Sequence, residues 1–433
     1  MRIFPNRVAQ RVGLGVAVAL LLALVAWLHV RVAGARQLAV ARDRFEVEVG
    51  PLPVPGIARS TASEKREPAA FLQRLGGPAR LPAPADLMHI RQLYVRAPST
   101  WSAAEVDECR RFLAANASLR VASDRAAERR GTAFVGARVD LPWEPADTGP
   151  LLTRAGAQAS LLKARIRLAL HDRSSAEMRR GMEALAAEVE AFRTEPGALF
   201  LLMGLPQEKS LLQATAWVVE DRDVDPRDLA AIQRLLPRRQ PMAAAVRHLA
   251  AGEAGYLVAS NIQLGRPWNS DANLAQVLDG YRRLVLELEA GRPGKVRPAS
   301  LRESRTAARP QTVPALILDS VRPNFEDVVE QIAAISAASQ LAELALDLRL
   351  GATQGCAYPA TLASLPLARE PDPFTARRPR YQRDAQGGAL LSNPSAAAAW
   401  DASPHSATTK PPPYAWRLPP PCASAAPSPG SSL

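Results

Sequence analysis

Residues Val12–Val30 read VGLGVAVALLLALVAWLHV, nineteen residues without a formal charge, bounded by Arg11 and Arg31. At 1.5 Å per helical residue, such a run covers close to the roughly 30 Å hydrocarbon core of a bilayer. No later segment of the 433-residue chain matches it. The pattern predicts a single transmembrane helix at 12–30, with most of the chain on one side of the membrane. Residues 1–11 form a short basic tail.

Arg2, Arg7 and Arg11 precede the run, and Arg31, Arg36, Arg42 and Arg44 follow it, so loop charge does not decide the orientation. A short basic tail ahead of an apolar run resembles a secretory n-region and h-region. Long downstream domains translocate largely regardless of charge. The expected topology is therefore a bitopic protein of a bacterial inner membrane, with the body in the periplasm. Ala33-Gly34-Ala35 has the small-residue character of a cleavage site and keeps cleavage open as an alternative. An apolar run longer than a typical h-region, with Arg31 beside the site, favours an uncleaved anchor.

Net charge is +12, and almost all of the basic residues are arginine. The paired arginines Arg110-Arg111, Arg129-Arg130, Arg179-Arg180, Arg238-Arg239 and Arg282-Arg283 are scattered rather than gathered in a block. This fits solvated helix faces, with attraction to the membrane surface near Arg31–Arg44 as the functional reading. No nucleic-acid partner is expected for an exported body. The partners expected are the bilayer, through residues 12–30, and a protein of unknown identity. Cys109, Cys356 and Cys422 contain no C-x-x-C and no zinc spacing. A Cys109–Cys356 disulfide and a buried inert thiol at Cys109 are both open readings.

Residues 31–100, with Pro51, Pro53, Pro55, Pro68, Pro78, Pro82 and Pro84, read as a Pro-rich juxtamembrane linker. Residues 101–292 read as helical hairpins. Ser102-Ala-Ala-Glu105 and Ser174-Ser-Ala-Glu177 are capping boxes. Asp225-Pro226 combines an N-cap with proline at the first helical position. Helical stripes run through Leu151–Leu170, through Met182, Leu185, Val189 and Phe192, and through Gln207–Val219, Pro241–Ile262 and Asp271–Ala290. A turn-rich piece from Gly131 to Pro150, with a short extended segment near Val135 and Val139, is expected between the helix that opens at Ser102 and the one that opens at Leu151. Residues 293–323 read as a loop. Residues 324–394 read as a long helix to about Leu350 and a small β-hairpin cap, with Ala389-Leu390-Leu391 as one strand. The Pro/Ala/Ser-rich tail 395–433 reads as disordered. The fold class is thus mainly α: a transmembrane helix, an array of αα-hairpins, a small C-terminal β-hairpin cap and a disordered tail.

This order of elements resembles a loose family of uncharacterised, membrane-anchored, helix-rich bacterial proteins. The resemblance rests on Leu341–Leu350, Tyr358-Pro359, Leu362 and Leu365, Asp372-Pro373-Phe374 and Tyr381. The closing module is similar to the end of type II secretion pseudopilins, where an Asp-Pro turn and short strands cap a long helix. The resemblance implies structural roles: Pro ends the helix, Asp tightens the turn, and Phe and Tyr fill a small core. The prepilin cleavage motif and the Gly/Asp-rich calcium-binding end are missing from this chain. The family implies no activity.

None of His29, His89, His171, His248 and His405 stands in H-E-x-x-H. His171 ends a helix, where a cation suits the dipole. Glu220, Asp221, Asp223 and Asp225 form the sharpest acidic cluster. A divalent-cation site and a helix-capping loop are its two readings. Trp101, Trp143, Trp217 and Trp268 read as core anchors or as groove lining. Gly181 and Gly204 are isolated, and no P-loop, dinucleotide fingerprint or G-x-S-x-G occurs. The expectation is therefore no catalytic, cofactor-binding or metal residues, no cofactor, and a non-enzymatic envelope scaffold or binding protein. The alternatives are an envelope hydrolase with an unrecognised site and a cytoplasm-facing tethered adaptor.

Overall fold

The computed structural model describes residues 7–52, 80–128, 145–193, 198–237, 242–264, 271–290, 313–370, 372, 377–392 and 415–421. The chain is mainly helical, with eleven α-helices and one small antiparallel sheet among the described residues.

Helix α1 (Arg7–Glu48) is uninterrupted over 42 residues, about 63 Å at 1.5 Å per residue. Leu20, Leu21, Leu22, Leu24, Val25, Trp27 and Leu28 are exposed to the surroundings. By length and composition α1 is the one helix among the described residues able to cross a membrane. Beyond the apolar run α1 docks along α10 (Asp271–Ala290). Gly34, Leu38, Ala41, Phe45 and Val49 follow one another at intervals of three or four and face the body, the spacing of a seam between two helices. At Gly34 the helices approach so closely that a Cβ would lie 3.3 Å from the backbone nitrogen of Ala272. At the other end Arg282 Nη1 meets Glu48 Oε2 at 2.6 Å, and Arg247 Nη1 donates to the Glu48 carbonyl at 2.7 Å. Gly34 meets Ala272 and the later Glu48 meets the later Arg282, so α1 and α10 run parallel.

The linker expected at 31–100 is corrected at two places. Residues 31–48 are helical because Arg31, Arg36, Arg42 and Arg44 occupy the solvent face and leave a continuous apolar stripe behind them. Helix α2 (Pro84–Tyr94) forms because Pro84 stands in the first turn, where its missing N–H costs nothing, rather than acting as a breaker. Residues 53–79 lie outside the described residues.

The Ser102–Glu105 capping box opens α3 (Ala103–Ala115) as expected. Asn116 then bends the chain, its Nδ2 donating to the Phe112 carbonyl at 2.8 Å, into α4 (Ala117–Glu128). The expected extended segment near Val135 and Val139 lies outside the described residues. The core is the antiparallel set α5 (Pro145–His171), α6 (Ser175–Arg193) and α7 (Ala198–Glu220). Arg173, in the left-handed region at φ 55°, closes the α5–α6 turn. Gly181 lets α6 press onto α5, since a Cβ there would stand 2.7 Å from Ile166 Cγ1. Helix α8 (Pro226–Leu235) carries the expected Asp225 cap, whose side chain accepts from the Arg227 N–H at 2.7 Å. Helix α9 (Met242–Leu264) packs against α10.

Helix α11 (Val313–Gly355) packs on α7, α8, α9 and α10. It begins within the expected 293–323 loop, because Pro314 falls in its first turn and is tolerated there. The sheet is β1 (Arg380–Arg383), β2 (Ala389–Ser392) and β3 (Ala415–Leu418), in that order and antiparallel throughout. The expected hairpin cap is therefore one strand short, and the tail is not wholly unstructured. Trp416 and Leu418 are buried while Arg417 is exposed, the period-two alternation of a strand with one covered face. Residues 393–414 and 422–433 lie outside the described residues.

Phe45 is fully buried in the seam. Phe45→Ala is expected to weaken the docking of α1 on α10 by about 3–5 kcal/mol. Hydrogen exchange should accelerate across residues 34–48 and leave α5–α7 unchanged. Unchanged exchange in 34–48 would contradict the seam.

Candidate functional site

The acidic cluster nominated by the sequence is a junction between elements. Asp221 accepts from Arg173 Nη1 at 2.9 Å, and Asp223 meets Arg173 Nη2 at 2.6 Å. Asp225 is spent on the α8 cap. Glu220 at the end of α7 accepts the backbone N–H of Arg417 on β3. Burial raises its pKa, opposed by that hydrogen bond and by Arg167 and Arg417. Arg349 of α11 reaches the carbonyls of Val219 at 2.5 Å and Asp221 at 3.2 Å. It thereby closes the carbonyl end of α7 with a cation, which the helix dipole favours. The junction ties the α5–α6 turn, α7, α8, α11 and β3 together. Each acid has a separate structural task, and among the described residues no group of three or more His, Cys, Asp or Glu is placed to hold a metal ion.

The histidines are dispersed. His89 pairs with Glu108 at 2.5 Å, and His171 Nδ1 lies 2.9 Å from Asp172 and stacks on Trp101. His248 is exposed, and His405 is outside the described residues. Trp101 and Trp217 are buried core anchors. Trp143 and Trp268 lie outside the described residues. Trp217 belongs to a cationic–aromatic stack. The Arg167 guanidinium sits 3.9 Å over its ring and donates to the Tyr94 carbonyl at 3.0 Å. Burial pulls Arg167 down to about 10 against the opposing pull of Glu220 and Asp221. Lys163 lies over Tyr94 at 4.8 Å. The stack fastens α2, α5 and α7 and leaves no ring free as a groove wall.

Members of the arginine doublets make ion pairs, most of them on exposed helix faces. Arg110 meets Asp107 and Asp172, Arg179 meets Asp228, Arg180 meets Glu177, and both Arg282 and Arg283 reach Asp279. Glu177, expected in a capping box, also accepts from buried Arg165 at 2.9 Å, while Asp124 takes that arginine's other arm at 2.5 Å. Cys109 is a free, fully buried thiol whose pKa burial pushes up to about 12, with Asp172 and Glu108 adding to it. Such a thiol is inert. Cys356 is disulfide-bonded, so the Cys109–Cys356 pairing is excluded. Cys422 lies outside the described residues.

The chain matches no protein-family model, no curated protein and no solved structure.

Buried polar groups that sequence reasoning passed over line the α5–α6–α7 core: Arg154, Gln158, Glu188, Gln207 and Glu208. Their signal was legible. Glu188 sits within the Leu185–Val189–Phe192 stripe, and Gln158 and Arg165 fall on the apolar side of α5. Gln158 Nε2 donates to Ser123 Oγ at 3.2 Å, and Arg193 pairs with Glu208 at 3.2 Å. Glu188 is 1% exposed, and among the described residues neither carboxylate oxygen has a hydrogen-bond partner. Burial raises its pKa well above the ordinary carboxyl range, opposed by the charge of Arg154. Such a carboxyl favours its protonated form.

A stability consequence follows from that sign. Between the ordinary glutamate value of 4.5 and the raised folded value, the folded chain holds a proton that the unfolded chain has shed. Stability therefore falls as pH rises through that window, by up to about 1.4 kcal/mol per pH unit. Glu188→Gln removes this contribution. The variant should match the parent at pH below 4.5 and melt at a higher temperature than the parent near neutrality. Identical dependence of Tm on pH in both proteins would refute the assignment.

Proposed function

We propose that this chain is a non-catalytic, membrane-anchored helical scaffold or binding protein of a bacterial cell envelope. In this reading α1 crosses the inner membrane once, the amino terminus is cytoplasmic and the body is periplasmic. The observation that carries it is α1 itself. One helix presents bare apolar side chains around Leu20–Leu28 and is locked into the body from Gly34 to Glu48. A helix covered by nothing around Leu20–Leu28 needs an apolar solvent there, and lipid supplies it.

The disulfide at Cys356 supports the periplasmic placement, because such bonds persist in oxidising compartments and are rare in the cytosol. The non-catalytic reading draws on the junction geometry. The acids at Glu220–Asp225 and the tryptophans Trp101 and Trp217 are all committed to holding elements together, which removes the strongest candidates for a hydrolase. An array of helical hairpins offers extended surfaces for a protein partner. The similarity of the closing module to the end of secretion pseudopilins suggests a secretion-linked assembly as that partner.

Orientation and redox state can be read together. Fused after Leu433, which preserves β3, a periplasm-active reporter should be active and a cytoplasm-active one silent. In protein trapped and unfolded without reductant, Cys109 should take up maleimide at once, and Cys356 only after reduction. An active cytoplasmic reporter with Cys356 labelled before reduction would place the body in the cytoplasm instead.

A further inference from the structure

We infer that the start of α10 is held in the lipid headgroup layer, so that the body rests on the membrane that α1 crosses. This rests on the reading of α1 as a membrane span and adds which surface of the body meets lipid. It holds for either orientation.

The apolar run ends at Val30 and the seam with α10 begins at Gly34. Four residues of unbroken helix advance about 6 Å. A headgroup layer occupies roughly 5–8 Å of each leaflet, given about 40–45 Å for the whole bilayer and about 30 Å for its core. Gly34 therefore lies within that layer, and any tilt of α1 lowers it further. Asp271 Cβ and Ala272 N stand 3.5 and 3.3 Å from the position of a Cβ at Gly34, so the start of α10 shares that depth. Independent of length, the Arg31 guanidinium lies 4.8 Å over the Trp27 ring. Tryptophan is enriched at the membrane–water boundary, and an arginine beside it reaches for headgroups. This pair marks the boundary within a turn of Val30. The partner so defined is a phospholipid headgroup surface.

Because the helices run parallel, depth falls steadily along α10. Gln276 and Arg283 are both exposed on it, about 10 Å apart along the axis. The test uses the full chain in phosphatidylcholine nanodiscs doped with a headgroup-nitroxide lipid. Gln276→Cys and Arg283→Cys are each made in a Cys109→Ala background and labelled with bimane. Quenching at Gln276 should be several-fold stronger than at Arg283. A short glycine–serine insertion between Arg31 and Val32 should abolish the difference by freeing the body.

Equal quenching at the two sites, or none at Gln276, overturns the inference. A gradient that survives the insertion also overturns it, since helix continuity would then not set the depth. Failure of the span reading is separable: the chain would not enter nanodiscs and would leave native membranes in alkaline carbonate. Circular dichroism matching the parent shows that each variant is folded before its quenching is read.

Discussion

One helix, exposed and apolar around Leu20–Leu28 and docked on the body from Gly34 onward, sets the terms for this molecule. Around Leu20–Leu28 the helix satisfies its backbone internally while its apolar side chains stand exposed. From Gly34 onward its apolar stripe is covered by α10. The handover takes place over one turn, between Val30 and Gly34, where an apolar circumference narrows to a single stripe. Its closeness depends on Gly34, since any larger residue would push Ala272 away. Its far end is secured where Arg247 and Arg282 converge on Glu48. Helical rigidity through the handover keeps the body oriented, whereas a Gly/Ser tether would only keep it near.

The charge of the chain acquires its meaning from the same economy of contacts. A net charge of +12 suggests a basic surface, yet many arginines work inside the fold. Arg165 is 3% exposed and joins α4, α5 and α6 through Asp124 and Glu177. Arg349 takes backbone carbonyls instead of a carboxylate. Arginine suits these places because its planar fork serves several acceptors and its charge is retained even when burial lowers the pKa, as at Arg167. Lysine, a compact and strongly hydrated charge, would lose more on burial. A chain rich in Ala and Leu has few large side chains with which to interlock its helices, and guanidinium bridges supply part of that specificity.

What the sequence made legible was local. The Ser102 capping box, the Asp225-Pro226 cap and the hairpins from α5 onward each follow from residues within a turn or two of one another. The helical second part of α1 was legible in principle, because its stripe is regular, but its partner lies more than two hundred residues away. Strand β3 was hidden because four residues of alternating character gain their identity only when paired with β2, across a long Ala/Pro-rich stretch. The candidate site divides in the same way. The acids at 220–225 stood out as a cluster, and their capping role at Asp225 was readable. That Arg173, Arg349 and Arg417 would converge on the same junction depends on tertiary contacts that no local spacing encodes. Glu188 is the reverse case: an acid on an apolar stripe is a local inconsistency, and such inconsistencies mark positions where folding alone does not explain the residue.

The packed elements form an unbroken series from α1 to the sheet. Helix α1 lies on α10, α10 on α11, α11 on α7, and both α7 and α11 carry β3. The junction at Glu220–Asp221 sits where the last of these meet, with Arg349 drawing α11 onto the end of α7 and the Arg417 backbone drawing β3 onto Glu220. Tyr358 and Tyr381 extend the fastening, donating to the carbonyls of Pro419 and Pro359 at 2.7 and 2.8 Å. Each step is a side-to-side helix contact or a charge-assisted bridge, and interiors packed in this way transmit position with little give. The orientation of α1 therefore reaches the sheet. That property suits the scaffold role proposed above, whose use would lie in where it holds its surfaces.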